Sequence, residues 1–407
     1  MRANYDAIIV GARCAGSPTA MLLARKGYKV LLVDRAAFPS DTMSSHFIHS
    51  PGIAALERWG LADELAATGC PPVTQYRADF GPVKLEGSPL PADGNSRAFA
   101  PRRRILDKLL VDAAVRAGAE LRERFIVEQL LIENGVVSGI TGHDESGRSV
   151  TETARIVIGA DGVRSLVAEA AGATRYRDKG SLSAGYYTYW SGVPTEGLEI
   201  YVRERRSWGA FPTHHGLTCI AVAWPRSEFE ANRHDVEGSY LRTLELAPEF
   251  AERVRSGKRE ERFVGTGNMP NFFRKPYGPG WALVGDAGYH KDFCTAQGIT
   301  DAFHDSERLT EALDASFDGR MRFEEAMAAY ELERNEHVSP MFEFTCQLAA
   351  LEPPPPEMQQ LLGAISGNQA EMNNFLSVIA GTLPVPQFFS PDNVGRIMAG
   401  AREPSLN

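Results

Sequence analysis

A chain of 407 residues with 43 Lys and Arg against 52 Asp and Glu, a net charge of −9 at pH 7, is long enough for two or three domains but lacks the basic surplus of a nucleic-acid-binding face. Apolar residues at 43% and charged residues at 23% are ordinary globular values, and no stretch is long and apolar enough to span a bilayer. Five scattered cysteines (Cys14, Cys70, Cys219, Cys294, Cys346) lack metal-ligand spacing, and the N-terminus has no signal-peptide pattern, so the expectation is a cytoplasmic protein with no metal site.

The run from Tyr5 to Val10 is apolar and β-branched, as a parallel strand covered on both faces requires. Gly11 permits the tight turn at its end and Gly16 permits close packing of the helix that follows. Between them, free N–H groups at the helix N-terminus make a seat for a diphosphate. A second strand ends in Asp34, twenty-three residues after Gly11, near the spacing of an acid that accepts hydrogen bonds from a ribose. Where a G-x-G-x-x-G fingerprint has its middle glycine, this chain has Arg13. The alternative is an ordinary βαβ unit without ligand; strand, turn, helix and acid at these spacings favour the dinucleotide.

Next come Ser44, Ser45, His46 and His49, a density of polar groups suited either to a cofactor's reactive end or to turns and caps. A helix is expected from Gly52 to Trp59, stopped by Gly60. Residues Cys70 to Arg97 read as hairpin material. Arg102, Arg103 and Arg104 open a helix with apolar positions at Leu106, Leu109, Leu110, Ala113, Ala114 and Ala117; one of the three arginines suits an anionic cofactor and the others suit solvent.

The alternating segments Phe125 to Val127 and Gly135 to Ile140 are followed by a buried strand, Ala154 to Gly159, that ends in Ala160-Asp161-Gly162. Between Tyr176 and Arg274 the chain becomes strand-rich and aromatic, which predicts a separate antiparallel sheet; its rings suit a flat apolar substrate, although most should be core. A further buried strand ends in Gly285-Asp286, and a helix opens near Ala296-Gln297-Gly298 with free N–H groups for an anionic or carbonyl-bearing ligand. The remainder is helical, broken at Pro353 to Pro356.

The glycine turn with Asp34-Arg35, the Gly159-Ala160-Asp161-Gly162-Val163-Arg164-Ser165 segment, and Gly285-Asp286-Ala287 with Gln297-Gly298 together resemble the single-chain flavoprotein monooxygenases typified by p-hydroxybenzoate hydroxylase, over roughly residues 5 to 335. The resemblance implies an α/β (α+β) fold. A Rossmann-like FAD-binding domain would comprise residues 1–75, 96–175 and 276–335, a mainly antiparallel substrate-binding sheet residues 76–95 and 176–275, and a helical segment residues 336–407. It places Gly11, Ala15 and Gly16 on the FAD diphosphate, Asp34 and Arg35 at the adenosine, Ser45 and Arg103 along the flavin chain, and Val127 at the adenine. Asp161 belongs to the motif serving FAD and the nicotinamide donor, Asp286 to the ribityl or diphosphate part, and the N–H groups near Gln297, Gly298 and Ile299 to the flavin's pyrimidine edge.

Two departures lie beside the flavin: Gly288-Tyr289 stands where His is common, and Phe293 where Pro is usual. The implied activity is hydroxylation of a small aromatic or other apolar cyclic substrate with NAD(P)H and O2, through a flavin C4a-hydroperoxide. His46, His49 and His214 are the candidate proton acceptors, because imidazole titrates near neutrality. Flavin-dependent halogenases and prenyl reductases share the nucleotide fold. Trp208-Gly209-Ala210-Phe211-Pro212 matches the halogenase Trp-x-Trp-x-Ile-Pro segment poorly, whereas Phe38-Pro39-Ser40-Asp41 is slightly similar to the prenyl-reducing group. A flavin-binding protein without turnover is the alternative outside catalysis, and a homodimer is left open.

Overall fold

The computed structural model describes residues 3–400, so the outermost ends of the expected 1–75 and 336–407 segments lie outside the described residues. The chain begins with β1 (Tyr5–Val10), α1 (Gly16–Arg25), β2 (Val30–Val33) and α2 (Ser50–Trp59). β1 is almost wholly buried and lies between β2 and the strand Ser149–Gly159, parallel to both. Trp281–Leu283 continues the sheet on one side and Glu120–Arg122 on the other. The register pairs Val10 with both Val33 and Gly159, and Gly159 with Leu283. The three motifs, far apart in sequence, therefore emerge side by side at one edge of the sheet, where open α/β sheets bind ligands.

Small residues make that edge compact. Gly11 has φ +103°, and a Cβ there would lie 2.4 Å from the Ala160 carbonyl oxygen; one on Gly16 would lie 1.7 Å from that of Gly11. The helix Gly298–Phe317 packs on α1 and α2, and its Ser306 hydroxyl donates to the Ala15 carbonyl oxygen at 2.9 Å. It starts at Gly298, two residues later than the sequence suggests, because Ala296 adopts a left-handed conformation (φ +51°) that a continuing helix does not admit.

A second, eight-stranded sheet runs in the order Lys258–Arg259, Ser183–Ser191, Thr218–Pro225, Arg206–Pro212, Leu198–Arg203, Tyr76–Asp79, Lys84–Gly87, with Val264–Thr266 also on Ser183–Ser191. It is antiparallel except where Tyr76–Asp79 runs parallel to Leu198–Arg203. Its two faces differ. Trp190, Tyr201, Trp208 and Trp224 pack with Tyr240 and Phe250 of the helices Val236–Leu244 and Pro248–Arg255. On the other face Tyr76, Tyr189 and Phe211 join Phe47 and residues of the C-terminal helices Pro356–Ile365 and Gln369–Ala380. The C-terminal helices are thus part of this layer, and the position between residues 335 and 336 falls inside one 27-residue helix, Phe323–Ala349. No helix among the described residues is long and apolar enough to cross a membrane.

The close approach at Gly16 sets an expected outcome: Gly16→Ala forces α1 away from β1 and costs roughly 1–3 kcal/mol, the usual range for overpacking, measured as a lower denaturant midpoint with unchanged slope.

Candidate functional site

Where the strands of the first sheet end, four pieces of backbone meet. Gly285 has φ +59°, and a Cβ there would come within 2.8 Å of the Ala15 Cβ and 3.5 Å of the Ala302 Cβ, so the turn, the Gly-Asp segment and the long helix touch through their smallest residues. Asp34 is buried. Its Oδ2 accepts from the Ala12 N–H at 2.7 Å and its Oδ1 from the Ala36 N–H at 2.8 Å, bonds that hold the turn in shape and leave lone pairs for a ribose. Arg35 is exposed beside it. Phe125 donates its N–H to the Asp34 carbonyl oxygen at 2.9 Å, which places Val127 two residues along the same strand from this corner.

Asp161 Oδ2 accepts from the N–H groups of Leu166 at 2.7 Å and Val167 at 3.2 Å, while its Oδ1 is buried with no partner. Burial raises its pKa above the ordinary carboxylate value, against the hydrogen bonds that lower it. Asp286 is exposed, within electrostatic reach of Arg103. The helix Gly298–Phe317 has no side-chain cap, and Gly298 has open space where a Cβ would stand, so its first-turn N–H groups face outward. Gln297 is instead committed to the C-terminal segment, its Nε2 donating to the Ile379 carbonyl oxygen at 2.8 Å, and Ile299 is buried. Ser45 contributes its carbonyl oxygen to the Phe47 N–H at 2.7 Å.

A cradle that any Cβ would fill, an orphaned buried carboxylate oxygen and an open helix N-terminus together fit a dinucleotide whose diphosphate lies on the turn. Arg13 is turned neither to solvent nor away from the turn: it donates to the fully buried Asp107 at 2.5 Å and to Ser40 Oγ at 3.0 Å. Arg103 binds the same carboxylate, with Nε 3.0 Å from Asp107 Oδ1.

The three candidate histidines separate by their partners. His49 Nε2 must donate to the Thr295 carbonyl oxygen at 3.1 Å, so Nδ1 accepts from the Tyr76 hydroxyl at 2.7 Å. His214 Nδ1 accepts from the Arg102 N–H at 3.2 Å, so Nε2 donates to Thr68 Oγ1 at 2.9 Å. Both rings are neutral ties between segments, with no nitrogen left for proton transfer. His46 differs: Nε2 meets the Tyr189 hydroxyl at 2.6 Å, and Nδ1 is buried near the Pro101 backbone without a hydrogen bond of good geometry, on a backbone at φ +59°. Burial, then the charge of Arg103, lowers the His46 pKa to about 3; burial lowers His49 to about 4 and His214 to about 4.

The sequence alone predicts an aromatic sheet between Tyr176 and Arg274 but does not divide the faces of its run Tyr186-Tyr187-Thr188-Tyr189-Trp190. The period of two in a strand is the signal: Tyr187 and Tyr189 turn toward His46, whose ring meets Tyr187 edge-on at 5.4 Å, while Tyr186 and Trp190 turn to the outer core. It also missed Arg102, whose guanidinium lies 3.9 Å over the Tyr189 ring and bridges Glu261 Oε1 at 2.7 Å and Asp41 Oδ2 at 3.3 Å. Against the expectation that two of the three arginines face solvent, Arg102 and Arg103 are both buried and Arg104 is exposed, a division of which a charge run carries no sign. No group of His, Cys, Asp or Glu among the described residues is arranged to hold a metal ion.

A family model described as an FAD binding domain matches residues 4–345. The digeranylgeranylglycerophospholipid reductase of Methanocella arvoryzae is 30% identical over 74% of this chain and 75% of its own. Among solved structures, the myxobacterial chondrochloren halogenase CndH superposes with a TM-score of 0.78 at 20% identity, covering 98% of this chain and 96% of the halogenase. PqsL of P. aeruginosa, solved with 2-aminobenzoylacetate, gives 0.71 at 21% identity over 91% and 99%. The two structural likenesses are to the fold.

The buried histidines make stability pH-dependent. His49 is neutral in the folded protein (about 4) and titrates near 6.5 when unfolded, so its contribution is complete above about pH 6.5 and is lost as pH falls toward 4. We expect the unfolding free energy to fall over that window, and His49→Gln to flatten the fall, as read by denaturant titrations at successive pH values.

Proposed function

The chain belongs to the FAD binding domain family and is an FAD-dependent oxidoreductase; from that premise we propose that it reduces a carbon–carbon double bond in an apolar, isoprenoid-like substrate held between the second sheet and the C-terminal helices. The observation that supports this reading is the apolar layer at that interface, where Phe47, Phe211, Phe344, Leu361, Phe375 and Ile379 gather beside Tyr189 from four separate parts of the chain. The similarity to an isoprenoid-lipid reductase points the same way.

FAD, when bound, supplies the two electrons. The chain's own part is to hold and shield. The turn from Gly11 to Gly16 would hold the cofactor's diphosphate, Asp34 and Arg35 its adenosine, and the open first turn at Gly298 its flavin, with Asp161 and Asp286 beside the chain that joins them. The apolar layer excludes water from the reacting carbons. Adding hydride to one carbon requires a proton on the other. Tyr189 is a proton-bearing group on that face and would deliver its proton to that carbon, the phenolate regaining one from solvent; His46, kept neutral by burial, would hold the hydroxyl in place.

Hydroxylation of a small aromatic substrate by NAD(P)H and O2, as in the p-hydroxybenzoate hydroxylase-like enzymes, is the second reading, favoured by the edge-to-face Tyr187 and Tyr189 rings, 5.8 Å apart, that would line a flat site. It is weakened by the commitment of both nitrogens of His49 and His214, which leaves His46 alone to take a phenol proton.

One experiment separates them. The purified protein should show a flavin spectrum; after anaerobic reduction by NAD(P)H or dithionite, a geranylgeranyl lipid should reoxidise the flavin without oxygen and yield a product two hydrogens heavier. Reoxidation that needs oxygen and an aromatic, with a product one oxygen heavier, would replace reduction by hydroxylation; no response to either substrate would leave a flavin-binding protein. Tyr189→Phe should lower turnover by about 10²–10⁴-fold, the usual contribution of a positioned acid, with the flavin spectrum unchanged.

A further inference from the structure

Residues 36–49, which join β2 to α2, are held at two points by arginines. Arg13, in the place of the fingerprint's middle glycine, grips the near end: NH2 donates to Ser40 Oγ at 3.0 Å, the guanidinium lies 5.4 Å from the Phe38 ring, and NH1 is anchored on Asp107 at 2.5 Å. That anchor is rigid, since Asp107 is fully buried on the helix Arg103–Arg116 and also accepts from Arg103 and from the Cys14 thiol at 3.4 Å. Arg102 grips the next residue, Asp41, while stacking on Tyr189 and binding Glu261, which lies between the strands Lys258–Arg259 and Val264–Thr266 of the second sheet. The chain then reaches His46 and its bond to Tyr189. A continuous set of contacts therefore runs from the glycine turn, through Arg13, residues 38–41 and Arg102, to the His46–Tyr189 pair.

A glycine at position 13 would keep the turn and break this set at its first link. The turn would still offer its N–H groups to a diphosphate, and residues 36–41 would keep their ties to Asp34, Glu123, Arg124 and Arg102 and the buried Phe38 ring, but none of these joins them to the turn through position 13.

We propose that Arg13 is a positioning residue that couples occupancy of the dinucleotide seat to the ordering of residues 38–46, and so to the geometry of His46 and Tyr189. The inference rests on the FAD reading of that seat. Its physical basis is linkage: a ligand that fixes the backbone of residues 12–16 fixes the Cα of Arg13, and the ordered loop then costs less to hold, so the ligand binds the ordered form better than the loose one.

Hydrogen exchange of the apoprotein with and without added FAD tests this in the native chain, Arg13→Gly and Ser40→Ala, the last leaving the seat untouched. Quenching of FAD fluorescence and slower exchange at residues 10–18 are expected in all three. Slowing of residues 36–46 by at least about tenfold is expected in the native chain, by an intermediate factor in Ser40→Ala and by less than about twofold in Arg13→Gly, if the opening of this segment is local. Equal protection of residues 36–46 in the native and Arg13→Gly proteins overturns the coupling while the FAD reading stands, as does FAD binding to the native chain that leaves residues 36–46 unprotected. An absence of both quenching and protection at residues 10–18 in the native chain overturns the FAD reading and the coupling with it.

Discussion

The structure depends on the close backbone approach where the parallel strands end. Gly11 faces Ala160, Gly16 faces the Gly11 carbonyl, and Gly285 faces Ala15, each at a separation that admits no additional carbon. Such packing is possible only because β1, β2, Ser149–Gly159 and Trp281–Leu283 are in parallel register, so that their carboxyl ends lie level. From that level edge the carboxylates of Asp34, Asp161 and Asp286 and the N-termini of two helices take their places without any further device. The seat is thus made mainly by backbone, with side chains holding the backbone still.

Around that seat, buried polar groups act mostly as ties. His49, His214 and Asp107 each join segments distant in sequence, and each is buried with its hydrogen-bonding capacity used. Removing one partner from such a group leaves an uncompensated donor or acceptor, which costs more than the bond itself contributes. His46 stands apart because one ring nitrogen is unused. A buried nitrogen without a well-formed hydrogen bond is stability forgone, and it lies beside the tyrosine face of the second sheet.

The same scaffold carries the halogenase CndH and PqsL, described as a probable FAD-dependent monooxygenase, so the fold leaves the reaction open. Between the second sheet and the C-terminal helices lies a packed apolar layer. That layer draws on Phe47, the sheet and the C-terminal helices, and two tyrosine–histidine pairs, Tyr189–His46 and Tyr76–His49, border it.

The sequence by itself determined the nucleotide fold, because strand, turn and helix are local and their residue types follow from local physics: β-branched residues for a doubly covered strand, glycine for a turn at positive φ, an acid at the next strand's end. It also marked Asp161, Asp286 and Gly298, each beside its own local signal. What it left open were the partners: which of Arg102, Arg103 and Arg104 is buried, which histidine keeps a free nitrogen, which way the tyrosines of Ser183–Ser191 face, and what Arg13 does. Those were decided by tertiary structure, since a side chain's role depends on what burial removes and which distant group replaces it. The contacts concerned, from Arg13 to Asp107, His49 to Thr295 and Tyr189 to His46, span from 94 to 246 positions of the chain, a range over which no local pattern carries information.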